Sequence, residues 1–289
     1  MTKRYDKEFK KETIRLIQGE GKTVAQVARE LELHENTLYR WLSEFKQDAL
    51  VNRRIFLDSR RLYGSKKVWE ELKKQGLHLS EKTVVRVMKE LGLKSRTVKK
   101  YKATTNSKHN LPVYDNVLNQ KFTAQDPNQV WMADITYIHT DEGWLYLASI
   151  MDLYSRKIVG WQMSDRMTKS LVVDALDQAY CRQRPAGEVL HHSDRGSQYA
   201  SLDYQNRLKT YKMKGSMSRK GNCYDNACME SFHSVLKKEL IYLEHFKTRA
   251  EAKKQIFEYL ACFYNGKRIH SSIGYFTPNQ YERMYHLAV

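Results

Sequence analysis

Apolar positions recur at helical spacing three times near the start of the chain. Phe9, Ile14, Leu16 and Ile17 lie on one face of a segment running from Asp6 to Gly19, and "GEGK" ends it. Thr23 then suits the N-cap of a second helix whose inner face is Val24, Val27, Ala28 and Leu31. After "ELELHEN", the stretch "ENTLYRWLSEF" predicts a third helix with Leu38, Trp41, Leu42 and Phe45 inward. Three short helices with a tight second turn predict a helix-turn-helix over residues 1–48. A second such unit follows over 49–95. "GSKKVWEELKKQG" is a helix closed by Gly76, and "LSEKTVVRVMKELGL" is a helix capped by Ser80 with Val84, Val87, Met88 and Leu91 inside. "KQDALVNRRIFLDSRR" reads as the connector between them.

The texture changes from Gln129. "VWMADITYIHT", "WLYLASIMDLYS" and "RKIVGWQMS" are strand patterns. "SLVVDALDQAYCR" is a helix, "EVLHHSD" a strand, "LDYQNRLKTYK" a helix and "GSMS" a short strand. A long helix starts near Asp225 or Asn226, either of which suits its N-cap, and runs through Leu240. "RAEAKKQIFEYLACFYNGKR" is one more amphipathic helix. The order β-β-β-α-β-α-β-α predicts a layered α/β domain over 125–289 with antiparallel and parallel strands. The chain as a whole is therefore α+β and multidomain.

Charge sharpens this division. Net charge is +17 over 289 residues, and residues 51–110 carry 17 Lys/Arg against 5 Asp/Glu. Excess concentrated in one segment points to a polyanion, with nucleic acid ahead of an anionic membrane surface. Residues 96–124 are cation-rich with little apolar period and read as a basic linker along a DNA backbone. No run approaches a membrane span, and the charged N-terminus lacks the apolar stretch of a signal peptide, so a soluble intracellular protein is expected.

On the third helix, His34, Glu35, Asn36, Thr37, Tyr39 and Arg40 occupy the start or outer face, where base edges and phosphates would lie. Lys82, Arg86 and Lys89 form the outward face of the later helix, and Arg96, Lys99 and Lys100 continue the cations into the linker. A small structural bundle with a solvated basic face is the competing reading.

Three acids stand out in the α/β region. Asp134 interrupts a strand, Asp194 ends another in "HHSDRGSQY", and Glu230 lies one turn into the long helix. Acids are poor strand residues, and strand C-termini in α/β sheets are where sites form. Converging carboxylates repel unless a cation sits among them, and hard oxygen donors with open coordination suit Mg²⁺. Taken one at a time, each acid could equally be a turn anchor, a cap or a solvated position; Asp152 and Asp225 are rival ligands. Cys181, Cys223, Cys228 and Cys262 form no C-x-x-C pair and read as reduced thiols. No phosphate-binding G-x-x-x-x-G-K-[ST] motif occurs, so ATP use is not expected.

"VWMADITYI", "GWLYLASIMDLYSRKIVGW", "HHSDRGSQYAS", "SMSRKGNCYDNACMESFHSVLKKEL" and "FYNGKRIHSSIGYFTPNQYE" resemble the integrase core of the insertion-sequence-three transposases, relatives of retroviral integrase. The preceding helical units resemble that family's two helix-turn-helix segments. The resemblance implies an RNase H-like core and a catalytic triad of Asp134, Asp194 and Glu230, with 35 residues between the last two. It implies two Mg²⁺ or Mn²⁺ ions, cleavage and strand transfer at transposon ends through a circular intermediate, and a homodimer or higher assembly on double-stranded DNA in the bacterial cytoplasm. Arg195, Gln198, Tyr199, Lys237 and Lys238 become the expected phosphate or end contacts. Family members usually carry a leucine zipper between the helix-turn-helix units. The connector here holds no heptad run, so zipper-based association is not expected. A nuclease without strand transfer and a non-catalytic DNA-binding repressor are the alternatives.

Overall fold

In the computed structural model the chain forms two compact units, residues 1–95 and 96–289. The structure describes residues 5, 7–18, 22–77, 79–98, 113–220 and 222–288.

The first unit is helical: α1 Lys7–Gln18, α2 Val24–Glu30, α3 Glu35–Asp58, α4 Ser65–Lys74 and α5 Glu81–Glu90. Its helix starts are chemically specified. Thr23 and Gln26 close a reciprocal capping box on α2, and the Ser80 hydroxyl accepts the Thr83 N–H at 3.1 Å at the start of α5. Ile14, Val27, Ala28, Leu38 and Trp41 form the core beneath the first three helices. The expected connector is a correction: α3 continues to Asp58, because no Gly or Pro interrupts it. Its later turns bury Ile55 and Phe56. Ser59 ends the helix, and Arg60 and Arg61 follow at positive φ. Leu91, expected inside, is 39% exposed because it falls at the C-cap, past the last turn of α5. The Phe45 side chain lies outside the described residues.

The second unit is built on a five-stranded sheet in the order β3-β2-β1-β4-β5. β1 Val130–Thr140, β2 Gly143–Asp152 and β3 Ile158–Ser164 form an antiparallel meander. β4 Leu190–Ser193 and β5 Lys214–Met217 extend it in parallel. α6 Lys169–Gln183 and α7 Leu202–Thr210 cross over between parallel strands and bury Leu171, Leu176, Tyr204 and Leu208 against Trp131, Ala133 and Ile150. Gly160 makes this contact possible: a Cβ there would stand 2.3 Å from the Ala175 carbonyl oxygen.

The long helix of the sequence pattern is three pieces. A 3₁₀ turn at Cys223–Asn226 leads into α8 Ala227–Leu236, which widens into a π turn at Lys237–Ile241. Asn226 occupies the N-cap position of α8, one of the two expected, but its side chain makes no capping hydrogen bond; Asn222 caps the preceding 3₁₀ turn by accepting the Tyr224 N–H at 3.0 Å. Asp225 is fully buried and committed to Arg219 and Gln120, and the Asn226 side chain donates to the Ala133 carbonyl at 3.4 Å. α9 Arg249–Glu258 and α10 Pro278–Ala288 complete the unit. The sequence pattern did not single out α10, although Pro at a first helical position is a recognised start signal.

Candidate active site

Strand register brings two of the acids together. Ala133 of β1 pairs with Ser193 of β4 in the last parallel rung, so Asp134 and Asp194 are the next residues on neighbouring strands. Such strands lie about 4.8 Å apart. The Asp134 Oδ1 accepts the Ile135 N–H at 2.8 Å, and its Oδ2 lies 3.4 Å from His233 Nδ1. Asp194 Oδ1 accepts the Gly196 N–H at 2.9 Å. A Cβ at Gly196 would come to 3.0 Å from that same oxygen, so glycine lets the turn close on the carboxylate.

α8 supplies the third acid. Asn226 holds the helix start to the Ala133 carbonyl and His233 reaches Asp134, and Glu230 lies on the helix between these two anchors. Burial raises the Glu230 pKa above the ordinary carboxylate value, the Asp134 charge raises it further, and His233 opposes the shift. The same field acts on Tyr199. Burial pushes its hydroxyl far up, with smaller contributions from Tyr204, Asp134 and Asp194.

Among the described residues, no three acidic, histidine or cysteine side chains stand close enough together to hold a metal ion. Both aspartates turn an oxygen onto a backbone N–H. The donor chemistry nevertheless fits a hard divalent cation. All three groups are carboxylates, the oxygen donors that such an ion prefers.

The rival acids are occupied elsewhere. Asp152 is buried and accepts from Asn128 N–H, Ser155 N–H and Ser155 O–H, which makes it the anchor of the β2–β3 turn. Burial raises its pKa against those hydrogen bonds. Hydrogen bonds from the Arg219 side chain hold Asp225 far below the usual carboxylate range, against the opposing effect of burial.

Tyr199 is a correction among the expected DNA contacts. It is 2% exposed, packs edge-on against Tyr204, and its hydroxyl has no hydrogen-bond partner among the described residues. Its place is the core between sheet and helices, which its neighbour Ala200 shares. The other candidates lie at or near the surface. Arg195 donates to the Ser218 carbonyl at 2.6 Å and Gln198 to the Met167 carbonyl at 3.1 Å. Lys237 Nζ sits 4.9 Å from the Tyr137 ring centroid, and Lys238 is half-buried in the π turn. In the helical unit, Glu35, Asn36, Tyr39 and Arg40 are exposed and Thr37 is half-buried. His34 is exposed but uses Nδ1 to cap α3, accepting the Asn36 N–H at 3.3 Å. Lys82, Lys89 and Arg96 are exposed, whereas half-buried Arg86 lies 3.5 Å from Glu90. Lys99 and Lys100 lie outside the described residues.

Two contributors escaped the sequence pattern. His233 and Ser149 adjoin Asp134 from α8 and β2, and only the apolar company of His233 in "SFHSVL" hinted at its burial. Of the thiols, Cys181 and Cys262 are exposed and unbridged, and the Cys228 sulfur accepts from Arg156 at 2.9 Å. Among the described residues no helix is long and apolar enough to cross a membrane.

Comparison with known proteins agrees with this architecture. Residues 9–55 match a helix-turn-helix domain family, 47–101 an HTH-like domain, and 124–223 and 230–285 two integrase core domain families. The chain is 46% identical over 227 residues to transposase InsF for insertion sequence IS3A of Escherichia coli (strain K12), covering 78% of this chain and 79% of the relative. It is 48% identical over 228 residues to the insertion element IS600 uncharacterized 31 kDa protein of Shigella sonnei, covering 79% of this chain and 84% of the relative. The HTLV-2 integrase catalytic core domain in complex with magnesium (trimeric form) superposes at TM-score 0.43 with 16% identity, over 55% of this chain and 99% of that one. Helix-turn-helix domains followed by an integrase core, with identity of this extent to an InsF protein, make the chain a member of the IS3-family transposases.

Proposed function

We propose that this transposase binds the terminal inverted repeats of its insertion sequence, cleaves DNA at a 3′ end and transfers that end to a second site, in a copy-out, paste-in route through a circular intermediate. Asp134, Asp194 and Glu230 are the catalytic carboxylates and hold two Mg²⁺ or Mn²⁺ ions. When bound, the ions supply charge neutralisation and activation of the attacking and leaving oxygens of an in-line displacement. The chain's own part is to hold the donors rigid, using the Ile135 and Gly196 amides, and to present cations to the DNA backbone. Arg195, Gln198, Lys237 and Lys238 serve the phosphates near the cut. The exposed faces led by Asn36 and Arg40 on α3, and by Lys82 and Lys89 on α5, grip the duplex. Holding two ends requires a dimer or larger assembly on DNA.

The observation that carries this reading is the neighbouring placement of Asp134 and Asp194 at the end of one parallel rung, with Glu230 on α8 between Asn226 and His233, the two residues that meet β1. The test uses a labelled terminal-repeat duplex with Mg²⁺ or Mn²⁺. The wild-type chain should yield both cut and joined products, and Asp194→Asn should lose both while still shifting the duplex in a gel. Cut DNA without joined products would indicate a nuclease. Specific binding without any product from the wild-type chain would indicate a repressor.

A further inference from the structure

We infer that His233 is a positioning residue for the Asp134 carboxylate, and that it fixes the oxygen geometry a divalent cation meets. This rests on the reading of Asp134, Asp194 and Glu230 as one metal-dependent site. His233 is 7% exposed and sits on α8 one turn beyond Glu230. Its Nε2 lies 3.0 Å from Ser149 Oγ and its Nδ1 3.4 Å from Asp134 Oδ2. Ser149 and Asp134 are themselves cross-strand partners in the β1–β2 ladder. One imidazole therefore reaches both members of a single rung and ties strand to helix.

The hydrogen-bond roles follow from the partners. An ionised carboxylate can only accept, so Nδ1 carries the hydrogen. In the neutral ring Nε2 is then a lone pair, and the Ser149 hydroxyl donates to it. Ser149 O–H is thus ordered towards His233 Nε2, and His233 Nδ1 faces Asp134 Oδ2 across a 3.4 Å approach. With the Ile135 N–H bonded to Oδ1 and the His233 ring 3.4 Å from Oδ2, both carboxylate oxygens have a neighbour that restricts rotation of the plane. Each oxygen keeps its second lone pair for a cation. Because Glu230 shares α8 with His233, the same contact also sets the separation of Glu230 from Asp134. Hydrogen-bonded supports of this kind are worth about tenfold to 100-fold in metal affinity or activity.

Amide side chains separate positioning from simple packing. Asparagine can place an N–H where Nδ1 stands, and glutamine reaches the place of Nε2 instead. We expect His233→Phe and His233→Gln to raise the Mn²⁺ concentration for half-maximal end cleavage by about tenfold or more. His233→Asn should recover most of that loss. The same ranking should appear without DNA, in the rise of Tm that MnCl₂ produces in each protein. ¹⁵N NMR of the metal-free wild-type chain should show His233 as the Nδ1–H tautomer. Equal Mn²⁺ requirements and equal Tm rises in wild type, Phe, Gln and Asn variants would overturn the proposal, as would an Nε2–H tautomer. Asp134→Asn is measured alongside. If it keeps cleavage and the Mn²⁺-induced Tm rise, the carboxylate reading itself fails. If it loses both while the His233 variants behave as wild type, only the role of His233 falls.

Discussion

The two units of this transposase place their ionisable groups in opposite ways. In residues 1–95 the core is aliphatic and aromatic, and the ion pairs, such as Lys74–Glu71 at 2.8 Å, lie near the surface. In residues 96–289 polar chemistry goes inside. Asp152, Asp225, His191 and His192 are buried at 1% exposure or less, and Glu239 is enclosed with Arg268 and Tyr259. A duplex-gripping unit needs exposed side chains on a plain scaffold. A catalytic unit needs charges held still, and buried hydrogen-bond networks do that at the cost of desolvation.

The largest stability difference should come from the Arg268–Glu239 pair. Arg268 donates to both Glu239 oxygens, with both side chains under 10% exposed. Arg268→Met removes the cationic partner of a buried carboxylate within the π turn that follows α8, and urea unfolding should show a loss of about 3–5 kcal/mol. Lys74→Met, which removes the surface pair with Glu71, should cost no more than about 1 kcal/mol. Similar losses at both sites would erase the contrast.

Acid should act selectively as well. Burial pushes His191 down to about 3 and His192 to about 4, so both stay neutral in the folded chain. The unfolded chain binds those protons near pH 6.5, so stability falls as pH drops from about 6.5 towards the folded values. The expected slope is about 1.4 kcal/mol per pH unit for each histidine. Amide exchange corrected for intrinsic rates should show β4 losing protection between pH 6.5 and 4, with α5 much less affected. A parallel loss in both would place the titrating groups elsewhere. A cap gives a similarly small effect: Ser80→Ala should cost about 1 kcal/mol and raise exchange at the start of α5 without changing end cleavage chemistry.

The same contrast governs what the sequence can disclose. Thr23, Ser80 and the spacing of Leu38 and Trp41 mark helix starts and an inner face directly, because capping and amphipathicity are local. The continuation of α3 to Asp58 is not legible in the same way, because its charged residues mask a helix that lacks any breaker. In the catalytic unit the strands were legible from their runs of Val, Ile, Leu and Trp, and Asp134 drew notice as an acid inside one. Local pattern does not separate Asp134 and Asp194 from Asp152 and Asp225, since all are aspartates in or beside predicted elements. Strand register and hydrogen-bond partners separate them, and both are properties of the folded chain. Tyr199 was misplaced for the same reason: a polar setting, "RGSQY", surrounds a side chain that folds inward.

The central claim is that Asp134, Asp194 and Glu230 act as one cation site, and calorimetric titration with Mn²⁺ tests it most directly. The wild-type chain should bind with a saturable heat signal. Asp134→Asn, Asp194→Asn and Glu230→Gln should each weaken that binding by at least about tenfold while leaving the far-UV circular dichroism intact. Undiminished Mn²⁺ binding in any one of the three would contradict the account.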